Sequence, residues 1–493
     1  MGSYSHKDNL LRGVSIQTIT TIAMGVMEVL IFSLMSRLLN RVEFGYYAAI
    51  SGVITIISSL SEAGLGSAII QKKDASREYI STAFTLSVII GLVGMLSVFL
   101  FSSNIARIVA DETINAPLKV MSITIFLNCV ISVFNAILYR EYNFKRIGIL
   151  QVSSYFISSI VGIILAVLGC GLYAIVCHSV LYLFILSLLL FSSLKSRPGF
   201  NLTSADIAPI LSYGGWLTAG ACVNNLTSQI DKIFMSKWLS VEALGTYNRP
   251  AGFIATITGK INAIFDTALF PVLSDIQDDK AKITNVFYNA ISLLNSFSII
   301  VASIFFFNAE LIVRIFFGND WLNIAPLVRI ISISVIFNID SRLVDCFFRS
   351  LNYVKTGFYI RILGFFLTLI CMYVGSRFDL MGTASGFVFA YTCITIIKMI
   401  VLCKKIDANY ISMFTIWFKA WKPIVPLFIF GCLFGVIMNN SIMLSLLFAA
   451  IYLLLIIVEL FFLPQLVGQQ YMDNIYPTIK QFKTRILSWI KKK

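Results

Sequence analysis

Charge is scarce in this chain. Only 13% of its 493 residues are Asp, Glu, Lys or Arg, against 58% hydrophobic and 14% aromatic residues. A soluble globular domain is about a quarter charged. A chain of this length could bury a large core, but it would still need a polar skin, and too few charges are present to make one. Lipid is therefore part of its solvent. Histidine is nearly missing: there are two, His6 and His178. The nine cysteines (Cys129, Cys170, Cys177, Cys222, Cys346, Cys371, Cys393, Cys403 and Cys432) form no Cys-x-x-Cys pair. Nearly all sit in or beside apolar runs, where Cys acts as a small hydrophobe. That pattern argues against a metal site and against a disulfide framework. The common catalytic motifs are missing as well: no P-loop, no Gly-x-Ser-x-Gly, no His-Glu-x-x-His, no dinucleotide fingerprint. No enzyme is expected, and no cofactor.

Long apolar runs fill the space that charge leaves. About fourteen are long enough to cross a hydrocarbon core of roughly 30 Å at 1.5 Å per residue. They are too long for transmembrane strands, which need about ten residues. The expected fold class is an all-α polytopic membrane protein. The first lobe, 1–200, holds six spans, the second of them expected from Gly45 to Ile70. The second lobe, 201–410, holds six more, including Ile207 to Leu239 and Thr246 to Leu273. Two further spans lie in 411–464. A basic tail, 465–493, carries Ile475, Ile479, Phe482, Ile486 and Ile490 at near-helical spacing, as expected of an amphipathic helix on a membrane surface. The first apolar run is about 25 residues, too long for a cleaved signal, so it is expected to act as its own targeting signal.

The formal net charge is +14. In a soluble protein this would suggest nucleic acid. Here the bases gather in alternate loops: Lys72, Lys73 and Arg77; Arg140, Lys145 and Arg146; Lys195 and Arg197; Lys280 and Lys282; Arg349 and Lys355; Lys404 and Lys405. The opposite loops hold about fourfold fewer, which sets the base-rich side, and both termini, in the cytoplasm. The outer loops are short; the longest, around Asn104 to Pro117 and Asn308 to Trp321, leave no room for a soluble domain.

The chain repeats itself. Ser36-Arg37-Leu38-Leu39-Asn40 through Phe44-Gly45-Tyr46-Tyr47 aligns without a gap on Ser236-Lys237-Trp238-Leu239-Ser240 through Leu244-Gly245-Thr246-Tyr247. The period covers six crossings, an even number, so both copies enter the membrane from the same side. Such a parallel repeat implies a pseudo-two-fold axis along the membrane normal. Two lobes about a central cavity make alternating access the expected mechanism.

A charge inside a span costs about 2.5 to 3.5 kcal/mol on insertion scales, so each one needs a reason. Glu28 and Glu62 either pair locally to hold helices together or face a cavity as coupling carboxylates. Glu62 leads into Ala63-Gly64-Leu65-Gly66-Ser67, small residues suited to close helix packing. Asp231 and Lys232 are adjacent, hence about 100° apart on a helix, and do not face each other. Asn225 and Gln229 share their span. Asp231 joins the coupling candidates. Lys232, Lys260, Arg249 and Arg37, with Asn225 and Gln229, are candidate contacts for an anionic substrate. Lys260 lies near mid-span with Asp266 six residues on. Arg342, Asp345 and Arg349 are spaced for an i,i+3 and i,i+4 ladder of ion pairs at a gate. Arg329, Arg361 and Lys398 lie nearer span ends. His178 reads as a core histidine or a switch.

Phe44-Gly45-Tyr46-Tyr47 followed by Glu62-Ala63-Gly64-Leu65-Gly66-Ser67-Ala68-Ile69-Ile70-Gln71-Lys72-Lys73-Asp74 resembles the N-terminal lobe of bacterial polysaccharide exporters of the Wzx type. Asp231-Lys232, Leu244-Gly245-Thr246-Tyr247 and Phe270-Pro271-Val272-Leu273-Ser274 resemble their second lobe. The resemblance implies a flippase of the multidrug/oligosaccharidyl-lipid/polysaccharide superfamily in the bacterial inner membrane. Its cargo would be an undecaprenyl-pyrophosphate-linked oligosaccharide of O-antigen, colanic-acid or capsule type. A proton or sodium gradient is the candidate driving force, and a glycan polymerase and chain-length regulator are candidate partners. Three other readings stay open, one of them a lipid scramblase or structural partner. A cation-coupled drug exporter of the same superfamily would want carboxylates in the spans, where bases are at least as numerous here. A lipid-linked glycan polymerase or ligase would want a large outer loop, which the chain does not have.

Overall fold

The computed structural model describes residues 2–61, 64–72, 75–141, 143–277, 279–422, 424–438 and 442–462. Among these, every regular element is helical, with eighteen α-helices. The chain divides into two compact units, Met1–Arg249 and Pro250–Lys493. The first unit holds α1 (Gly2–Leu38), α2 (Arg41–Ser61), α3 (Leu65–Gln71), α4 (Arg77–Leu100), α5 (Ser102–Val109), α6 (Asn115–Arg140), α7 (Phe144–Val167), α8 (Leu172–Ser193), α9 (Ser204–Trp238) and the start of α10 (Val241–Asp275). The second holds the rest of α10, then α11 (Lys280–Phe307), α12 (Ala309–Phe316), α13 (Ala325–Ser350), α14 (Val354–Ser376), α15 (Leu380–Lys405), α16 (Tyr410–Lys419), α17 (Ile424–Met438) and α18 (Ile442–Phe462).

Among the described residues, ten helices are long and apolar enough to cross a membrane. α9 and α10, with 35 residues each, have the length as well, but they carry the charges noted above. With α17 and α18 they complete the fourteen long helices that the apolar runs indicate. The second expected span, Gly45 to Ile70, is broken. α2 stops at Ser61, and α3 restarts after Gly64, whose φ of 60° lies in the left-handed region that glycine enters freely. Glycine also serves the packing of α3. A Cβ placed on Gly66 would stand 2.8 Å from the carbonyl oxygen of Ser132 in α6. The amphipathic tail, 465–493, lies outside the described residues.

The order of elements repeats, as the sequence motif does. α4 is followed by eight-residue α5, a 3-10 turn (Glu112–Ile114) and 26-residue α6; α11 is followed by eight-residue α12, a 3-10 turn (Asn319–Ile324) and 26-residue α13. The two long loops expected on the outer side are thus small helical caps. At the first of them Tyr46 donates a 2.7 Å hydrogen bond to Asp111. Burial pushes the Asp111 carboxyl up, but hydrogen bonds from Thr113 and Tyr46 outweigh it and hold the group below its usual range.

In the first unit α4 packs on α6, α7 on α8, α6 on α8 and α2 on α9. Leu65, Ile69, Val133, Leu138, Ile147 and Leu190 close its interior. The outside is apolar too: Phe156, Ile160, Ile164 and Val167 of α7 are exposed, as befits a helix facing acyl chains. The segment between α8 and α9 is moored along α4. The amides of Gly199, Asn201 and Thr203 donate to the hydroxyls of Ser81 (3.1 Å), Thr85 (3.0 Å) and Thr82 (3.2 Å). In the second unit α14 packs on α15, and α13 on both α11 and α15. α16 rests on α11, and α17 pairs with α18.

Candidate functional site

The repeated motif forms two equivalent turns. α1 ends at Leu38 and α2 begins at Arg41; α9 ends at Trp238 and α10 begins at Val241. The alternation of Asn and Ser at the fifth motif position is a helix cap. Asn40 accepts from the Glu43 amide (2.9 Å) while Glu43 accepts from the Asn40 amide (2.8 Å), a capping box. Ser240 accepts from the Ala243 amide (3.0 Å) in the same place. The shared glycines bring the turns together. A Cβ on Gly45 would stand 1.9 Å from the Val241 carbonyl oxygen, and one on Gly245 would stand 1.8 Å from that of Arg41. Residue 45 meets 241 as 245 meets 41, so the two turns are related by a local two-fold. The following tyrosines diverge. Tyr47 shares a 2.9 Å hydrogen bond with Ser179, whereas Tyr247 is hydrogen-bonded to Asp231.

Beside this joint lie most of the sequence-derived substrate contacts of the first unit. Arg249 is 6% exposed. Its guanidinium lies over the rings of Phe32 (3.9 Å) and Phe44 (3.1 Å), and Nη2 reaches the Phe32 carbonyl oxygen at 3.4 Å. Its Nε has no hydrogen-bond partner. The aromatic faces offset part of the cost of burying this cation. Lys232, one repeat length from Phe32, runs its stem along α2: a Cβ on Gly52 would stand 3.6 Å from Lys232 Cδ. Gln229 Oε1 sits beside it, buried and without a partner. Asp231 accepts from the Lys232 amide at 2.9 Å. Asn225 is half-buried one turn earlier, and Arg37 is exposed at the end of α1. The structure therefore brings Lys232, Gln229 and Asp231 together on α9, with Arg249 across the joint. Lys260 is half-buried in the second unit.

Glu28 has company that the sequence reading did not foresee. Tyr155 of α7 and Tyr182 of α8 lie within its electrostatic reach. The two rings are 5.5 Å apart edge to face, and Tyr155 is 5.2 Å from the His178 ring. His178 Nε2 is 3.2 Å from the Ser159 hydroxyl. His178 is thus a hydrogen-bonded, half-buried member of a polar patch. The signal was available: Tyr155 and Ser159, like His178 and Tyr182, stand four residues apart on consecutive helices. Glu62 and the side chain of Asp266 lie outside the described residues.

The expected ladder in α13 takes another form. The Asp345 carboxylate is 2.9 Å from Lys398 Nζ in α15 and 3.9 Å from Arg361 in α14. Arg349 Nε reaches the backbone oxygen of Asp345, at 3.4 Å. Arg342 lines a small cavity with Asn262 and Cys346. These two ion pairs run between helices, because Asp345 points into the packed side of α13, where α15 supplies the base. Lys398, placed nearer a span end by its sequence, is 5% exposed and also donates to Ser341 at 2.8 Å. One turn away Asp340, fully buried, accepts a 2.8 Å hydrogen bond from the Trp417 indole of α16.

Comparison with known proteins places this geometry in context. The family model described as polysaccharide biosynthesis protein matches residues 34–326. The lipopolysaccharide biosynthesis protein WzxC of Escherichia coli is 22% identical over 87% of this chain and 87% of its own length. The succinoglycan biosynthesis transport protein ExoT of Rhizobium meliloti is 21% identical over 61% of each chain. Among solved structures, the lipid II flippase MurJ in an inward closed conformation superposes with a TM-score of 0.69 at 15% identity, covering 90% of this chain and 98% of that one. An inward-facing multidrug transporter of the MATE family gives 0.64 at 15% identity, covering 79% and 98%. The fold is that of these transporters. With more than half of its length matched, this multi-pass membrane chain belongs to the polysaccharide biosynthesis protein family, in line with its resemblance to Wzx-type exporters.

Proposed function

We propose that the chain flips an undecaprenyl-pyrophosphate-linked oligosaccharide across the bacterial inner membrane by alternating access, with both termini in the cytoplasm. The observation that carries this reading is the placement of cations within the membrane-spanning helices. Lys232 lies half-buried against Gly52, and Arg249 is buried against Phe32 and Phe44. Cations inside spans are costly, and a pyrophosphate is a cargo that needs them. The family and its relatives support the cargo class: one relative is named for lipopolysaccharide biosynthesis, another for teichuronic acid biosynthesis, a third for succinoglycan transport. A flippase of lipid II shares the fold.

In this reading Lys232, Arg249 and Lys260 hold the pyrophosphate, Arg37 guides it in, and Asn225 and Gln229 bond to sugar hydroxyls. Glu28, Glu62 and Asp231 are the acids through which a proton or sodium gradient would act. A glycan polymerase and a chain-length regulator would take the product on the outer side. The double variant Lys232→Gln/Lys260→Gln, expressed at the normal level in a strain lacking the native gene, is expected to export less than about a tenth of the wild-type glycan, since each lost charge-assisted contact is worth roughly tenfold. Full complementation would sink the assignment.

A further inference from the structure

At the base-rich end of the first unit, three segments far apart in sequence converge on one cavity of about 300 Å³. Arg77 comes from the start of α4, Arg140 from the end of α6, and Ser196 and Arg197 from the segment between α8 and α9. Ile80 and Ile137 also line it, and Glu141 is the one acid among its described lining residues. Its volume is at the lower bound of ligand sites, about 300–1,000 Å³. None of these residues is among the candidate transport contacts.

Bases at this end of a membrane protein are ordinarily solvated and serve topology. Two features set these apart. First, they are positioned. Arg140 donates through Nη1 to the carbonyl oxygens of Ile69 (2.7 Å) and Lys72, which end α3. Arg197 lies 4.9 Å over the Phe191 ring, and the chain just after it is moored to Ser81, Thr82 and Thr85. Second, Arg77 stands in the first turn of α4, whose cap, Ser76, accepts from the Tyr79 amide at 3.1 Å, so the positive end of the helix dipole adds to the same site. Among the described lining residues, three guanidiniums against one carboxylate, two of the three held by contacts of their own, match a ligand bearing several anionic oxygens.

We propose that this cavity binds a phosphate or diphosphate group, brought either by the headgroup of an anionic lipid or by a free anion. The site goes beyond the transport reading and does not depend on it. Bound phosphate would bridge the segment before α9 to α4 and α6, fastening more firmly a stretch that three hydroxyls already hold.

The test uses the full chain in nanodiscs with two probes. Inorganic pyrophosphate is titrated by calorimetry into nanodiscs of neutral lipid, and phosphatidylglycerol retention is measured by native mass spectrometry from mixed nanodiscs. The variant is Arg77→Gln/Arg197→Gln, which spares Arg140 and its hold on α3. Saturable binding of either probe, weakened about tenfold or more in the variant, is expected. Pyrophosphate alone would identify a soluble anion, and phosphatidylglycerol alone a headgroup; either result supports the site. No binding of either probe, or equal binding by the variant, would overturn it. Because the readout is binding and not export, its failure leaves the transport reading untouched, and failure of Lys232→Gln/Lys260→Gln to impair export leaves this site untouched.

Discussion

Arg249 combines a full charge, burial and aromatic walls, and the three make its role testable. Lysine has no planar fork to lay over Phe32 and Phe44 while reaching the Phe32 carbonyl oxygen, so Arg249→Lys is not a mild change. We expect Arg249→Lys to lower detergent-solubilised stability by about 1 kcal/mol, the scale of a partly desolvated cation–π contact, measured by chemical unfolding. Arg249→Gln should lose glycan export in a complementation assay. If Arg249→Gln exports normally while Arg249→Lys is destabilised, the residue is only a packing device. The sequence made Arg249 visible as a charge near a span end, but not its neighbours. Phe32 and Phe44 are about two hundred residues earlier, and no periodicity links them to it.

At the scale of elements, what was legible followed from backbone chemistry. The motif Asn/Ser, three residues, Phe/Leu, Gly could be read twice because a helix cap and a close backbone approach each admit few residue types. The break between α2 and α3 was not legible, because the small residues around Gly64 equally suit close packing of a continuous helix and a left-handed φ leaves no mark in hydropathy. For the ion pairs of α13, spacing tells which residues can meet along a helix, not which neighbouring helix competes for them. Asp345 found Lys398, 53 positions away. That pairing yields a thermodynamic cycle. Lys398→Met or Asp345→Leu alone should destabilise the protein by up to about 3–5 kcal/mol, each removing the main counter-charge of a buried partner, while the double variant should cost much less than the sum. Additive losses in a thermal or chemical unfolding series would show that the two groups are not coupled.

Across the whole molecule, the scarcity of charge and the length of the apolar runs settled the class before any contact was known. Ten helices qualify as spans by length and apolarity among the described residues, and α9 and α10 match them in length. Those two helices hold Asp231, Lys232, Arg249 and Lys260, the charges on which the proposed cargo contacts rest. The tyrosine and histidine patch around Glu28 shows the opposite case: neutral polar side chains cost little hydropathy, and a site built from them leaves a fainter trace.

The reciprocal seating of Gly45 on Val241 and Gly245 on Arg41 makes the two turns halves of one bearing. A bearing has a single clearance. A methyl group added on either half wedges the same gap open, and once it is open a second methyl group on the other half meets less resistance. Gly45→Ala and Gly245→Ala should therefore each destabilise the protein by roughly 1–3 kcal/mol, the range for overpacking a tight contact, while the double variant costs less than the two together. Unfolding midpoints of the four proteins would reveal the shared clearance, and strict additivity would mean that the turns are seated independently. It follows that the two copies of this motif cannot drift apart at the glycine: whatever one half gains in bulk, the other half feels.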